Sequence, residues 1–400
     1  MEPSGVASIL NRVVLVLLLL AGAGSGALVH KTIESDDGDV IDCVDAYQQP
    51  ALIKYQDGSR KLAAGPERSM KDMVAAANAS KPQARHQTWR KHGSCPAGTV
   101  PIRRESNPVK ISELLAGQPS PFGHPGSYSL SATQLGGSDN ASAMAVAPPG
   151  VKIEVAAAYA TRYPYMGIRA EIPYWKVDVQ NPQEFSMSYI MLGYTLDPKY
   201  QPAPMAAPPT NLTNQIAVGL VNDGGAANKC FNHECEGFHI KEGARYAIGS
   251  WWHDSDSQVG GVRYAVSVGI HVDQAVGNWW VSVLDDDIGY YPEHVFNTRF
   301  HDGCYAEIGG RVLDTRPGGL HTTTPMGSGQ PASAGWRFAA TIMEYYGITL
   351  QGALFRDQAD RTVVTTPTCY GVNPLGFDKN RGGYAVSYGG PGGIYCDRRA

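Results

Sequence analysis

Apolar and polar positions alternate along residues 262–284. Val262, Tyr264, Val266, Val268, Ile270 and Val272 fall at every second position, the spacing of a strand with one buried face. Ala275-Val276-Gly277-Asn278 interrupts the run, and Trp279, Val281 and Val283 resume it, so the stretch is predicted to be a hairpin. Further strands are predicted over residues 151–160, 187–192, 216–221, 306–313 and 385–388. Helical spacing is confined to a short stretch at residues 70–78 and an arguable one at 334–346. No internal repeat is evident. The predicted fold class is mainly β: an antiparallel β-sandwich in the C-terminal part, preceded by a small α+β segment.

Composition adds turns to this picture. The 400 residues include 46 glycines and 27 prolines, which favours many short strands over long helices. A hydrophobic fraction of 43% and a charged fraction of 18% are those of a globular chain long enough for two domains. The formal net charge is −4 and the basic residues are scattered, apart from Arg103-Arg104, which argues against a nucleic-acid partner.

The N-terminus reads as a targeting segment. Arg12 precedes the apolar run Val13 to Leu20, and Ser25-Gly26-Ala27 suits cleavage after Ala27. The run is too short for the ~30 Å of a bilayer core, and no later stretch could span one. Residues 1–27 are therefore expected to be a signal peptide and the mature protein to be secreted, free of the membrane. Residues 28–105 form a compact polar segment closed by Pro101-Ile102-Arg103-Arg104. Residues 106–150, rich in Gly, Ser, Ala and Pro, read as a linker, and residues 151–400 as the β domain. In an oxidising compartment the seven cysteines should pair and leave one over. Three sequons agree with that route and mark Asn78, Asn140 and Asn211 as candidate glycosylation sites.

Several short motifs then occur in a telling order. Ile41-Asp42-Cys43-Val44-Asp45, Gln49-Pro50-Ala51 and Cys95-Pro96-Ala97-Gly98-Thr99-Val100-Pro101-Ile102-Arg103-Arg104 resemble the activation segment of the neprosin family. Downstream come Glu184-Phe185-Ser186, Cys230-Phe231-Asn232, Cys235-Glu236-Gly237-Phe238, Gly277-Asn278-Trp279-Trp280, Gly289-Tyr290-Tyr291-Pro292 and Glu307-Ile308-Gly309-Gly310. His321-Thr322-Thr323-Thr324-Pro325-Met326-Gly327-Ser328-Gly329, Cys369-Tyr370 and Tyr388-Gly389-Gly390-Pro391-Gly392-Gly393 complete the series. The resemblance runs from about residue 40 to the C-terminus. It implies a plant-type β-sandwich hydrolase released from an N-terminal pro-segment, in the apoplast or the vacuole. It also implies cleavage after proline by two glutamates, with no cofactor and no metal, and hence a proline-containing peptide or protein as substrate.

Two carboxyl groups placed close together resist double ionisation, so one holds a proton while the other acts as base. Each well-placed acid or base contributes roughly a hundred- to ten-thousand-fold, so the loss of one is severe. By resemblance the second catalytic glutamate maps onto Glu307. The family often carries Glu-Trp-Gly-Gly-Glu here, and this chain has Arg311 at the place of the later carboxylate, so that if the later one is the catalytic group both glutamates are missing. The first glutamate belongs to an Ile-Glu-Ala-Gly-Trp motif, whose nearest match is Ile216-Ala217-Val218-Gly219-Leu220, with Ala217 at the acidic position. No glutamate lies between Glu184 and Glu234. Asp223 shares strand parity with Ala217 but lies roughly 20 Å along the strand, and Asp197 precedes Pro198 in a predicted turn.

Other chemistries have thinner support. Cys230, His233, Cys235 and His239 have spacings that zinc could use, whereas the secreted setting and the resemblance favour a Cys230–Cys235 disulfide. Cys43–Cys95 and Cys369–Cys396 are the other expected bridges. Cys304 is left as a buried thiol or an intermolecular link, and His301 is near enough in sequence to be weighed as its partner. Trp251-Trp252 and Trp279-Trp280 could line a groove, but paired rings on a strand are more often core, one in and one out. Asp285-Asp286-Asp287 reads as a solvated turn rather than a calcium site. No Gly-x-Ser-x-Gly elbow is found. Two functions remain: a secreted glutamic endopeptidase acting next to proline, and a non-catalytic relative that binds peptide or wall material in the same groove. Oligomeric state has no sequence signal.

Overall fold

The computed structural model describes residues 27–53, 61–79, 81–82, 85–104, 152–162, 164–182, 184–195, 214–223, 237–252, 256–296, 300–316, 320–379, 382–393 and 396. Residues 1–26 of the expected signal segment, all of the expected linker 106–150, Cys230, Cys235, Asn140 and Asn211 lie outside these residues.

In the N-terminal part, strands β1 (Val29–Glu34), β2 (Val40–Asp45) and β3 (Thr99–Arg103) make an antiparallel sheet in that order. Helices α1 (Pro50–Ile53) and α2 (Met70–Ala76) lie in the connection between β2 and β3. Helix α2 starts where the Ser69 hydroxyl accepts from the Asp72 N–H, and it buries Met70, Met73 and Val74, an i, i+3, i+4 stripe. It ends at Asn78, whose φ of +49° is the left-handed conformation that closes many helices. That asparagine is exposed, as a sequon requires. A Cys43–Cys95 disulfide ties β2 to the segment before β3. Arg103 and Arg104 are not a free basic pair: they bond Asp39 and Asp42, each at 2.6 Å.

The remaining strands are β4 (Lys152–Ala160), β5 (Gly167–Pro173), β6 (Phe185–Tyr194), β7 (Asn214–Asp223), β8 (His239–Ile240), β9 (Ala265–Asp273), β10 (Asn278–Val283), β11 (Asp286–Tyr291), β12 (Tyr305–Asp314), β13 (Ala340–Ile348), β14 (Leu354–Arg356), β15 (Arg361–Val364), β16 (Gly371–Phe377) and β17 (Tyr384–Gly389). They form a five-stranded sheet, ordered β15-β4-β12-β6-β7. A nine-stranded sheet, ordered β16-β17-β13-β5-β9-β10-β11-β8, carries β14 beside β13. The pairing is antiparallel throughout, and the fold is the expected sandwich.

Strand periodicity divides the side chains between two faces. Ala156, Ala158 and Ala160 of β4 and Ala306, Ile308 and Val312 of β12 meet Ile168, Val268, Ile270, Ile342 and Val386 in the shared core. Val155, Ala157 and Tyr159 face outward and join Met187, Tyr189, Met191 and Tyr305 in a second buried cluster. Because both faces are buried, β4 and β12 read as nearly continuous apolar runs. At Gly310 a Cβ would meet the Tyr388 ring of the opposite sheet at 2.6 Å, so the layers approach closely there.

The hairpin at 262–284 forms as β9 and β10, except that β9 begins at Ala265 and Val262 is 57% exposed. The helix expected over residues 334–346 is absent. Pro331 and Gly335 bracket a single 3-10 turn, Ala332–Ala334, and the chain then extends as β13. Thr341, Ile342 and the neighbouring tyrosines suit a pleated surface, and pairing with β5 and β17 outweighs a weak local helical spacing.

The N-terminal unit docks on the outer face of the nine-stranded sheet. Gln49 exchanges hydrogen bonds with the Ile240 backbone at 3.0 and 2.7 Å, and Gln87 does the same with Ala247 at 2.7 and 2.8 Å. Met70 fills the space left by Gly269, where a Cβ would lie 2.4 Å from its terminal carbon.

Candidate functional site

Glu307 is the third residue of β12, on the outer face of the five-stranded sheet. The unbroken registers of β12 with β4 and β6, and of β6 with β7, set Arg361, Tyr159, Glu307, Met191 and Ala217 in one row across the sheet. Ala217 is therefore level with Glu307, two strands away, a backbone separation of about 10 Å at ordinary strand spacing. Two long carboxylate side chains at these positions could reach toward one water. The alanine here has nothing to reach with. Asp223 pairs with Phe185 instead, far along the strand, so register excludes it as a substitute.

Glu307 and Arg311 are both 0% exposed. A separation of four residues keeps them on one face of the strand, and Arg311 Nη2 donates to Glu307 Oε1 at 2.6 Å. The Tyr189 hydroxyl donates to the same oxygen and the Tyr305 hydroxyl to Oε2. Arg311 Nε donates to the Tyr189 oxygen at 2.7 Å, and the guanidinium carbon lies 4.7 Å from that ring's centroid. Burial pushes the Tyr189 phenol well above its usual range; Arg311 opposes this and the Glu307 charge adds to it. Burial and the Glu307 charge push the Tyr305 phenol the same way, so both hydroxyls stay protonated and act as donors. Two phenols and a guanidinium thus hydrogen-bond to the two oxygens of Glu307. This arrangement suits an anion held in place rather than a proton-sharing pair.

Sequence reasoning placed Glu307, Ala217 and Arg311 in the right strands but missed Tyr189 and Tyr305 as ligands of the carboxylate. Period 2 along β12 contained part of the signal, since Tyr305, Glu307 and Arg311 share parity. Tyr189 reaches the group only through the pairing of β6 with β12.

The rival sites resolve differently. Asp285-Asp286-Asp287 is not a solvated turn. Leu284 and Asp285 adopt φ of +51° and +62° in the turn of the β10–β11 hairpin, which directs Asp285 and Asp287 into buried positions. Asp285 accepts from Arg169 Nε at 2.8 Å and Nη2 at 3.1 Å, and from Ser267 at 2.7 Å. Asp287 accepts from the Met70 backbone N–H at 3.2 Å, with His271 Nδ1 3.8 Å away. Burial raises the Asp287 carboxyl to about 7 and lowers the His271 imidazole to about 3.

Of the zinc candidates, His239 is described; it is buried, with its ring edge-on to Tyr290 at 5.2 Å. Cys369 and Cys396 are bonded, as expected, and Cys304 is a buried thiol, raised by burial to about 11. Such a thiol is a poor nucleophile. His301 Nε2 lies 2.8 Å from Glu293. Trp252, Trp279 and Trp280 are buried, and Trp251 packs at the rim edge-on to Tyr174. Trp279 points inward and Trp280 outward under the docked N-terminal unit, stacked with Phe300 and tilted on Tyr290 respectively. The rings of β10 are core rather than a groove.

A family model described as Neprosin matches residues 177–391, and one described as Neprosin activation peptide matches residues 32–112. The first covers more than half of the chain, including both strands that carry Ala217 and Glu307.

Proposed function

The chain belongs to the neprosin family, a family of peptidases, and on that premise we propose that it is a secreted relative whose peptide-hydrolysing chemistry is impaired or lost. The observation that carries this reading is the engagement of Glu307 by Arg311, with an alanine level with it where the family's chemistry asks for a second carboxylate. Hydrolysis needs a base for water and an acid for the leaving nitrogen, and one carboxylate already bonded through both oxygens supplies neither in full. The retained role is binding of proline-containing peptide or wall material on the surface that the family's peptidases use for substrate.

The test uses the full chain, acid-treated, with a proline-containing fluorogenic peptide. The expected result is no turnover above that of Glu307→Gln. Ala217→Glu, alone or combined with Arg311→Glu, is expected to raise the rate. Wild-type turnover that Glu307→Gln abolishes would overturn the proposal and restore the reading as an active prolyl endopeptidase.

A further inference from the structure

At one rim of the sandwich, on the face opposite to Glu307, three side chains from distant parts of the chain point at one spot. Glu154 comes from β4, Asp314 ends β12, and His321 lies in the segment that follows. All three are buried, and one ligand atom from each lies within 4.8 Å of the others. His321 Nε2 is 3.9 Å from Glu154 Oε1.

The outer atoms of each group are anchored elsewhere, which leaves the inner ones aimed at the centre. Glu154 Oε2 accepts from the hydroxyls of Thr365, at 2.5 Å, and Thr366. Asp314 Oδ1 accepts from the Arg316 N–H at 2.9 Å, while Asp314 Oδ2 is buried without a hydrogen-bond partner. The Nδ1 of His321 lies 2.9 Å from the Thr322 carbonyl oxygen, which can only accept. Nδ1 therefore donates to that carbonyl, and Nε2 is the ring atom turned toward the two carboxylates. Two carboxylate oxygens converging in a buried site repel one another unless positive charge lies between them, which a metal ion held through Nε2 would supply. Neighbouring charges are directed elsewhere. Arg316 Nη1 donates to the His321 carbonyl at 2.7 Å, and Glu184 is satisfied by Thr315, Thr322 and Thr324.

We propose that Glu154, Asp314 and His321 form a binding site for a first-row divalent cation such as zinc, which clamps β4 and β12 to the segment carrying His321. Two carboxylates and an imidazole are a donor set for zinc or its neighbours rather than for calcium or magnesium, which take oxygen alone. Bonds of about 2.1 Å place tetrahedral donors about 3.4 Å apart, so the edges of the triangle must contract by at most about 1.4 Å. The threonines and the Thr322 carbonyl are the outer shell that orients such ligands. The site is independent of the Glu307 chemistry. No sequence motif announces it, because its three members are separated by about 160 and 7 residues.

The experiment is to strip the full chain with a chelator, add zinc alone, dialyse, and measure bound metal and melting temperature. About one zinc per chain should be retained, with a rise in melting temperature that chelator reverses. Asp314→Asn and Glu154→Gln should each weaken binding by roughly a hundredfold or more. Thr366→Val, which keeps all three ligands, should weaken it by roughly tenfold and serves if a ligand variant does not fold. Cobalt bound at the same site should give a visible ligand-field spectrum that the two ligand variants lack. No retained metal, or binding that survives both substitutions, would overturn the proposal.

Discussion

On the outer face of the five-stranded sheet, Glu307 finds its counter-charge on its own strand, four residues away at Arg311. On the outer face of the nine-stranded sheet, Asp287 takes a hydrogen bond from the backbone of Met70, 217 residues distant and in the N-terminal unit. Both faces bury carboxylates, but the first balances charge within its own sheet while the second borrows a partner from the N-terminal unit. A burial that is self-contained holds its carboxylate with partners from the same sheet. A burial that is borrowed couples the ionisation of the sheet to the docking of another part of the chain.

Four experiments put that contrast to the test. The largest effect is expected from Arg311→Met, which leaves the Glu307 carboxylate buried without its guanidinium. It should cost about 3–5 kcal/mol in urea unfolding, and Glu307→Gln in the same chain should recover most of that. A loss under ~1 kcal/mol would show that the ion pair is not the counter-charge that matters. Met70→Ala should come next, at about 2–4 kcal/mol, because it empties the space beside Gly269 and Ser282. Its signature is loosened docking, read as faster hydrogen exchange in residues 69–79 than in β12.

The third experiment is a pH series. Asp287 has a folded value near 7, above its ordinary 3.8, so the folded chain binds more protons than the unfolded one between those limits. Its burial penalty is absent at pH 4 and fully present above pH 7. Asp287→Asn should therefore be more stable than wild type by ~2 kcal/mol at pH 8, with the gap closing by pH 4. His271 has the opposite sign: its folded value near 3 lies below 6.5, so its neutral burial is fully favourable above 6.5 and is lost as pH falls toward 3. In Asp287→Asn the decline on acidification should therefore stand out more steeply than in wild type. A difference between the two proteins that does not change from pH 4 to pH 8 would refute the assignment. The smallest effect is expected from Tyr305→Phe, which removes one donor to a buried carboxylate and should cost about 1.5 kcal/mol by chemical denaturation.

The strands that period 2 identified, such as β9, β10 and β12, are those whose inner faces are filled by Val, Ile and Ala at alternate positions. Residues 334–346 misled because alanine-rich spacing at the start of β13 resembles a helix when its sheet partners are unknown. The acidic turn misled for a related reason. Three aspartates look solvated in a sequence, and only the hairpin geometry and the Arg169 side chain on β5 make two of them interior.

The order of short motifs determined the family, the sandwich, the disulfides Cys43–Cys95 and Cys369–Cys396, and the lack of a glutamate at position 217, since each of these is written in residue identity and spacing. Tertiary structure alone decided what surrounds those residues. It set Ala217 level with Glu307, brought Tyr189 onto the carboxylate, placed Met70 over Asp287, and joined Glu154 to Asp314 and His321. The reason is that strand pairing joins residues far apart in the chain, and the environment of a charge depends on those neighbours rather than on its own segment.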